Sequence, residues 1–467
     1  MTTPRTLLWQ PDLPARRGPR YQAIVAAIAD DVTAGRLHPG DRLPTQRRLA
    51  AALGLGLGTV TRAYKEAEQR GLLASRVGRG TVVARPAVGN PLGLPSTQLI
   101  EMSVDLPLYA ADPDLGAVLM KIARRDGVQQ LLRYQPHAGS GRHRRAGAAW
   151  VERFDLVVRP DDVVACAGTH HALTVALMTV AQPGDVVLCD ELGYPGLRAL
   201  ATSLHLRLHG IAEAAGGGGI DLAVVSSACR RQRVRAVYVV PSCHNPTTRQ
   251  MAIDARRELA RLAAKHDLFV LEDDVHRLSC VAPPRPIAAE ARDRTFYVAS
   301  FSKAVAAGLR VAFLVPPPAL LQRSTEAVWA SVWMAPPLAA EVAASWIEDG
   351  TADSVVRRKR DEAGARRQLL AQQLVGHRFE AQPSSFYAWL HLPLPWSGVE
   401  FALDARRRGV AVTPSTAFVV GQSSAPAAVR ICFAAPESRA DAERGLALLR
   451  QLLADGPSRR GASPAPV

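Results

Sequence analysis

No two of the six cysteines stand as a C-x-x-C pair, which excludes a thiolate zinc site or a dithiol redox motif as the organising chemistry. Cys166, Cys189, Cys229, Cys243, Cys280 and Cys432 are scattered, and those in apolar runs read as buried thiols; no metal is expected. Apolar residues make up 48% of the 467-residue chain, yet no run of them is long enough to cross a bilayer. Nothing at the start reads as a signal peptide, so a cytoplasmic protein without membrane contact is expected. Aromatics are scarce at 5%, which leaves an aliphatic core. Acid is short as well: 57 Lys and Arg face 42 Asp and Glu, a formal net charge of +15. The excess is uneven, because residues 1–85 alone hold 14 basic and 6 acidic side chains. A compact basic segment of that kind suits nucleic acid, with general arginine richness as the competing explanation. The length argues for two or more domains.

Within that basic front, residues 1–20 read as a flexible arm. Ile24, Val25, Ile28 and Val32 then recur at helical spacing, and Gly35 ends the helix. Leu37-His38-Pro39-Gly40-Asp41 is turn chemistry. A second helix follows Leu43-Pro44-Thr45, with Thr45 as its cap. The Gly54-Leu55-Gly56-Leu57-Gly58 link leads to a third helix from Thr59 to about Arg70. Two helices joined by a tight glycine turn form a helix-turn-helix. Thr59, Thr61, Arg62 and Lys65 on the third helix are side chains that reach bases or phosphates. Residues 72–83, with Arg76-Val77-Gly78-Arg79 at the tip, read as a hairpin wing. Residues 86–98 are rich in proline, glycine and small side chains and read as a linker.

From residue 99 to 455, β-branched runs alternate with helical stretches, predicting an α/β domain with a mostly parallel sheet. Ligands in such folds bind beyond the carboxyl ends of the strands, so the residues after each run carry the reading. They are Gly168-Thr169-His170 after Ala167, Asp190 to Gly196 with Tyr194, Pro241 to Thr247 with Asn245, Glu272-Asp273-Asp274, and Ser300-Phe301-Ser302-Lys303. A desolvated lysine is nucleophilic and forms a Schiff base with an aldehyde, and Arg310, seven residues on, is placed to grip a phosphate. Together they suggest pyridoxal 5′-phosphate, although the Lys303 stretch alone fits a surface loop equally well. Chemistry assigns the remaining roles. Asp273 pairs with a ring nitrogen, Asn245 bonds the ring hydroxyl, and Tyr194 stacks on the ring. Gly168, Thr169, Ser300 and Arg310 are expected to hold the phosphate, with His170 and Ser302 as further cofactor contacts. Singly, each has a plainer reading: a helix cap for Asp273, a core aromatic for Tyr194, a turn for Asn245-Pro246. Their shared position at strand ends makes the set informative. Arg357-Arg358-Lys359-Arg360 reads as a solvated helix face, and residues 456–467 as a disordered tail.

Two resemblances follow from these residues. Residues 21–84 resemble the winged helix-turn-helix of GntR-type regulators, on Leu43-Pro44-Thr45, Arg47, Leu49-Ala50, Thr59 to Tyr64, Gly71-Leu72 and Gly78-x-Gly80-Thr81. That resemblance implies DNA contacts by Arg47, Thr59, Thr61, Arg62 and Arg79. The glycine-rich turn departs from the usual pattern, which has a hydroxyl and a cation at positions 56 and 57. Residues 100–455 resemble fold-type I pyridoxal-phosphate enzymes of the aminotransferase class, on His244-Asn245-Pro246-Thr247, Glu272-Asp273-Asp274, Ser302-Lys303, Arg310 and Val429 to Phe433. This implies that Arg430 receives a substrate carboxylate. Where the class has a tyrosine after the ring aspartate, this chain has Val275 and His276, and His276 is the expected substitute donor. The two halves together resemble the MocR family. The resemblance implies a homodimer that binds promoter DNA and senses an amino compound, or pyridoxal phosphate itself, at Lys303. The alternatives are a working aminotransferase, and a DNA-binding protein whose second domain only dimerises.

Overall fold

A computed structural model describes residues 9–11, 13, 19–33, 36–37, 41–69, 72–76, 80–83, 99–215, 217–421 and 423–457. Most of the expected arm, Arg79 at the wing tip, the 86–98 linker and residues 458–467 lie outside these.

The front module contains three helices, α1 (Arg20–Thr33), α2 (Gln46–Leu53) and α3 (Leu57–Gln69), and a hairpin of β1 (Leu73–Arg76) with β2 (Gly80–Val83). Ile24, Val25 and Ile28 of α1 pack on Leu49, Val60, Ala63 and Tyr64. Thr45 does cap α2, its side chain accepting from the Arg48 amide at 3.3 Å. Gly54 closes α2 with φ +63, a left-handed conformation that glycine adopts without a Cβ penalty. The third helix starts two residues earlier than expected, at Leu57. Thr59 is therefore inside its first turn, and the flexible link shrinks to Gly54–Gly56. Trp9, in the stretch read as an arm, is 8% exposed and donates its indole N–H to Asp31 at 2.6 Å.

The large domain is built on a seven-stranded sheet. In chain order its strands are β4 (Val164–Cys166), β5 (Val186–Asp190), β6 (Arg207–Ile211), β7 (Val234–Val239), β8 (Phe269–Asp273), β9 (Thr295–Ser300) and β10 (Ala312–Val315). Their spatial order is β4-β10-β9-β8-β7-β5-β6, and only β10 runs antiparallel to its neighbours. The sheet is thus mostly parallel, as the apolar runs predicted. Helices cover both faces: Thr169–Val180 packs on one, and Gly141–Glu152 with Pro337–Glu348 on the other.

A second, antiparallel sheet has the order β11-β12-β15-β14, from β11 (Phe379–Glu380), β12 (Ala388–His391), β14 (Thr413–Pro414) and β15 (Ala428–Ile431). Beside it, β3 (Ile100–Glu101) pairs in parallel with β13 (Val410–Ala411). This pairing joins the start of the large domain to its end, and it fixes where residues 102–107 lie. Lys359, read as part of a solvated face, is instead 1% exposed and bonds Asp112 at 2.6 Å and the Val305 carbonyl at 2.7 Å. A buried ammonium needs such acceptors. Among the described residues no helix is long and apolar enough to cross a membrane, and no three His, Cys, Asp or Glu side chains cluster as metal ligands.

Candidate functional site

The strand ends converge as the sheet topology requires. Gly168 follows β4 with φ +87 and caps the helix Thr169–Val180. A Cβ there would stand 2.5 Å from an Arg310 guanidinium nitrogen, so only glycine lets the arginine lie against this turn. Arg310 itself is held with φ +53 and donates to the Ser302 hydroxyl at 3.3 Å. The Ser300 hydroxyl accepts from the Ser302 amide at 3.1 Å, which tightens the turn that carries Lys303. Thr169 Oγ1 is buried with no partner. A helix start, a guanidinium, two serines and an orphaned threonine hydroxyl fit a phosphate. His170 is exposed at the rim, while its neighbour His171 turns inward and accepts from the Ala167 amide at 3.0 Å.

The acidic triplet at the end of β8 divides between the two faces, because strand side chains alternate. Glu272 accepts the Ile287 and Ala288 amides at 2.9 Å, and burial pushes its carboxyl up to about 7. Asp274 accepts the Tyr297 hydroxyl at 3.0 Å and pairs with Arg277 at 3.4 Å. Only Asp273 faces the other side, where it accepts the Tyr238 hydroxyl at 2.9 Å. Burial pushes its carboxyl up to about 6, against the opposing pull of Tyr238 and His276. A buried carboxylate without a cation beside it is the natural partner of a protonated ring nitrogen. Tyr194 starts the helix Pro195–Ser203, and its ring lies directly over Gly196.

Arg430 sits on β15, an inner strand of the small sheet, and is 6% exposed; it is not a solvated edge residue. It donates to Asn245 Oδ1 and to the Ser103 carbonyl, each at 2.7 Å. Its Nε is buried and unpartnered, and its guanidinium lies 4.9 Å from the Phe418 ring centroid. His276, the expected substitute for a ring-hydroxyl donor, has its Nε2 engaged by Asp105 at 3.0 Å. That nitrogen is taken up by Asp105, while Nδ1 is buried without a partner. Lys303 donates to the main-chain oxygen of Asp105, with Asp105 Oδ2 at 3.2 Å. Sequence reading missed Tyr238, which sits inside an apolar strand, and Asp105, a lone acid among apolar residues in Val104-Asp105-Leu106-Pro107.

In the front module, Arg47 is exposed and lines a cleft of about 450 Å³ with Arg42, Thr45, Gln46, Gly80 and Thr81. Arg42, also missed, bridges to Val82 of the hairpin and packs under Gly80. Thr61 bonds Gln46 at 2.8 Å, and Arg62 stacks 4.1 Å over the Tyr21 ring while staying exposed. Thr59 is half-buried on the same helix.

Residues 20–83 match the bacterial regulatory proteins of the gntR family, and residues 97–448 match the class I and II aminotransferases. The chain is 31% identical to the HTH-type transcriptional regulator YdeF of Bacillus subtilis, over 96% of its own length and 97% of the relative's. It is 26% identical to the probable rhizopine catabolism regulatory protein MocR of Rhizobium meliloti, over 65% and 66% of the two lengths. The chain belongs to the MocR family of regulators. Its large domain also superposes on the α-aminoadipate aminotransferase LysN of Thermus thermophilus, solved with a phosphopyridoxyl-leucine adduct. There the TM-score is 0.68 at 24% identity, covering 77% of this chain and 93% of that one, which shows the shared fold. MocR-type regulators are thus an aminotransferase fold carried behind a DNA-binding module.

The raised Asp273 carboxyl makes a prediction for the cofactor-free chain. Its folded value lies above its unfolded one, so the stability it contributes is present at low pH and lost as pH rises from 3.8 through about 6. Urea unfolding at several pH values should show Asp273→Asn gaining on the wild type by roughly 2–3 kcal/mol across that window. Parallel pH profiles would remove the assignment.

Proposed function

We propose that this MocR-type chain regulates transcription in the cytoplasm. It binds promoter DNA through α2, α3 and the hairpin, holds pyridoxal 5′-phosphate at Lys303, and reads an amino compound there. The observation that supports the reading is that Gly168, Arg310, Lys303 and Asp273 stand at the ends of the adjacent strands β4, β10, β9 and β8, with Arg310 against Gly168 and with Thr169 Oγ1 and Arg430 Nε unpartnered. When bound, pyridoxal phosphate supplies an aldehyde that exchanges one amine for another. The protein's share is binding and orientation. Gly168, Thr169, Ser300, Ser302 and Arg310 neutralise and seat the phosphate. Asp273, braced by Tyr238, holds the ring nitrogen, and Tyr194 covers a ring face. Arg430 Nε, buried between aromatic rings, takes an effector's carboxylate. Arg47 and the neighbouring Arg42 meet the DNA backbone, with Thr59, Thr61 and Arg62 presented beside them. A working transaminase is not favoured, since the relatives spanning both domains carry regulator names.

A homodimer follows from an apolar patch on the large domain. Leu132, Tyr134 and Met120 are exposed by 85%, 80% and 61%, and Trp329 and Trp333, 6.1 Å apart, are exposed as well. Tyr134 and Trp333 stack at 5.4 Å, and His137 joins them at 5.5 Å. Aromatic clusters of this kind left in water mark protein interfaces, and a second copy is the proposed occupant.

Three outcomes are expected. Purified protein with added pyridoxal phosphate develops a visible absorbance band that Lys303→Ala lacks; a colourless wild type refutes the cofactor reading. Arg47→Ala weakens binding to a duplex carrying the chain's own promoter across sequences and lowers the salt slope by about one, read by fluorescence anisotropy. Leu132→Glu shifts the sedimentation velocity from dimer to monomer, and an unchanged mass would discard the patch as the interface.

A further inference from the structure

Lys303 leaves β9 with its amine turned toward the segment after β3. It donates to the main-chain oxygen of Asp105, and Oδ2 of the same residue stands 3.2 Å away. Asp105 is 9% exposed, so this is a buried arrangement. Its Oδ2 also pairs with His276 Nε2 at 3.0 Å, and its Oδ1 is buried without a partner. The Lys303 ammonium, His276 and Arg430 hold the Asp105 carboxyl well below the usual carboxylate range, overcoming the upward push of its burial.

The carboxylate is placed by anchored backbone. The Met102 amide donates to the Ala411 carbonyl at 3.0 Å, and the Cys432 amide to the Met102 carbonyl at 2.8 Å. The Ser103 carbonyl accepts the Thr413 hydroxyl at 2.6 Å and Arg430 at 2.7 Å. Residues 102–105 are thus tied to the small sheet, and displacing Asp105 means breaking those bonds.

Two reactions of the lysine differ in what they ask of its nitrogen. In amine exchange, an incoming ammonium would keep one of its three N–H protons when bound and pass two to the lysine nitrogen. With the one it already carries, Lys303 would leave as an ammonium, so the count balances and Asp105 receives a cation. In transamination, the released lysine must next take a proton from the carbon bearing the exchanged nitrogen. There the C–H bond would break, the bound cofactor would supply the sink for its electron pair, and Lys303 Nζ would gain an N–H bond. That step needs a lone pair on Nζ, and an ammonium paired with a carboxylate has none.

We propose that Asp105 is a catch for the Lys303 amine, holding it as an ammonium whenever it is not covalently engaged, so that the site exchanges amines and stops before proton abstraction. Asp105 is then a positioning residue acting through Lys303. The inference rests on the cofactor reading above and adds why an aminotransferase pocket serves sensing.

The test uses the full chain in cofactor-free form. Trace acylation with acetic anhydride at neutral pH, read by mass spectrometry, gives the reactivity of Lys303 relative to exposed Lys265 in the same sample. Losing a charge-assisted partner should speed Lys303 labelling about tenfold in Asp105→Asn, while Asp105→Glu stays near wild type. If the Asn variant does not fold, Asp105→Ser carries the same expectation. A second readout adds L-alanine or L-glutamate to the loaded protein without any keto acid. Conversion of the visible band to that of pyridoxamine phosphate should be faster by about the same factor in the neutral variants. Equal labelling in wild type and the neutral variants overturns the catch, and so does faster labelling without faster conversion. A wild type that never develops the visible band sinks the cofactor reading instead, and the labelling ratio still decides the role of Asp105.

Discussion

The half-buried Lys303 amine has its counter-charge in Asp105, a buried carboxylate on the segment after β3. Much of the site is arranged around that pair. His276, which follows β8, packs edge-on against Tyr387 at 5.2 Å and pairs with the same carboxylate. Arg430 comes from β15 and shares the Ser103 carbonyl next door. Four separate stretches of chain, after β3, after β8, after β9 and on β15, therefore meet through one acid. An unpaired charge at this depth would cost several kcal/mol, so the pair constrains the pocket even before any ligand arrives.

The sheet explains why those stretches meet. A run of parallel strands puts carboxyl ends along one edge, so Asp273 and Ser300 end the adjacent strands β8 and β9 there, with Asp190 at the end of β5 beyond β7. The antiparallel strand β10 then brings Arg310 back across from β9 to face Gly168 after β4. In the front module the same economy appears on a smaller scale. Arg42 leaves the turn before α2 to bridge the hairpin, so the helix-turn-helix and the wing present one basic surface.

Much of this was legible in the sequence because its signals are local. Apolar runs buried on both faces announced six of the seven large-sheet strands. The seventh, β6, is an edge strand with a mixed pattern, Arg207 and His209 being exposed, and so it carried no such run. Lys303 and Arg310 stood out because polar groups at the ends of apolar runs need a reason. The glycine-rich turn proved shorter than expected: α3 was placed from Thr59, whereas Leu57 and Gly58 already belong to it, with Val60 and Tyr64 packed in the core.

By itself the sequence determined the two-module plan, the polar residues at the strand ends and the family, since each depends on residue types at short spacing. Only the tertiary structure decided which of Glu272, Asp273 and Asp274 faces the pocket, that Lys359 is buried, that His276 is spent on Asp105, and that Asp105 belongs to the site at all. The outcomes at Asp105 hinge on contacts with His276 and Lys303, more than a hundred positions away, and the facing of Asp273 on Tyr238 from a neighbouring strand. Burial and charge pairing at such separations are set by how the sheets close on each other, and no local pattern encodes that closure.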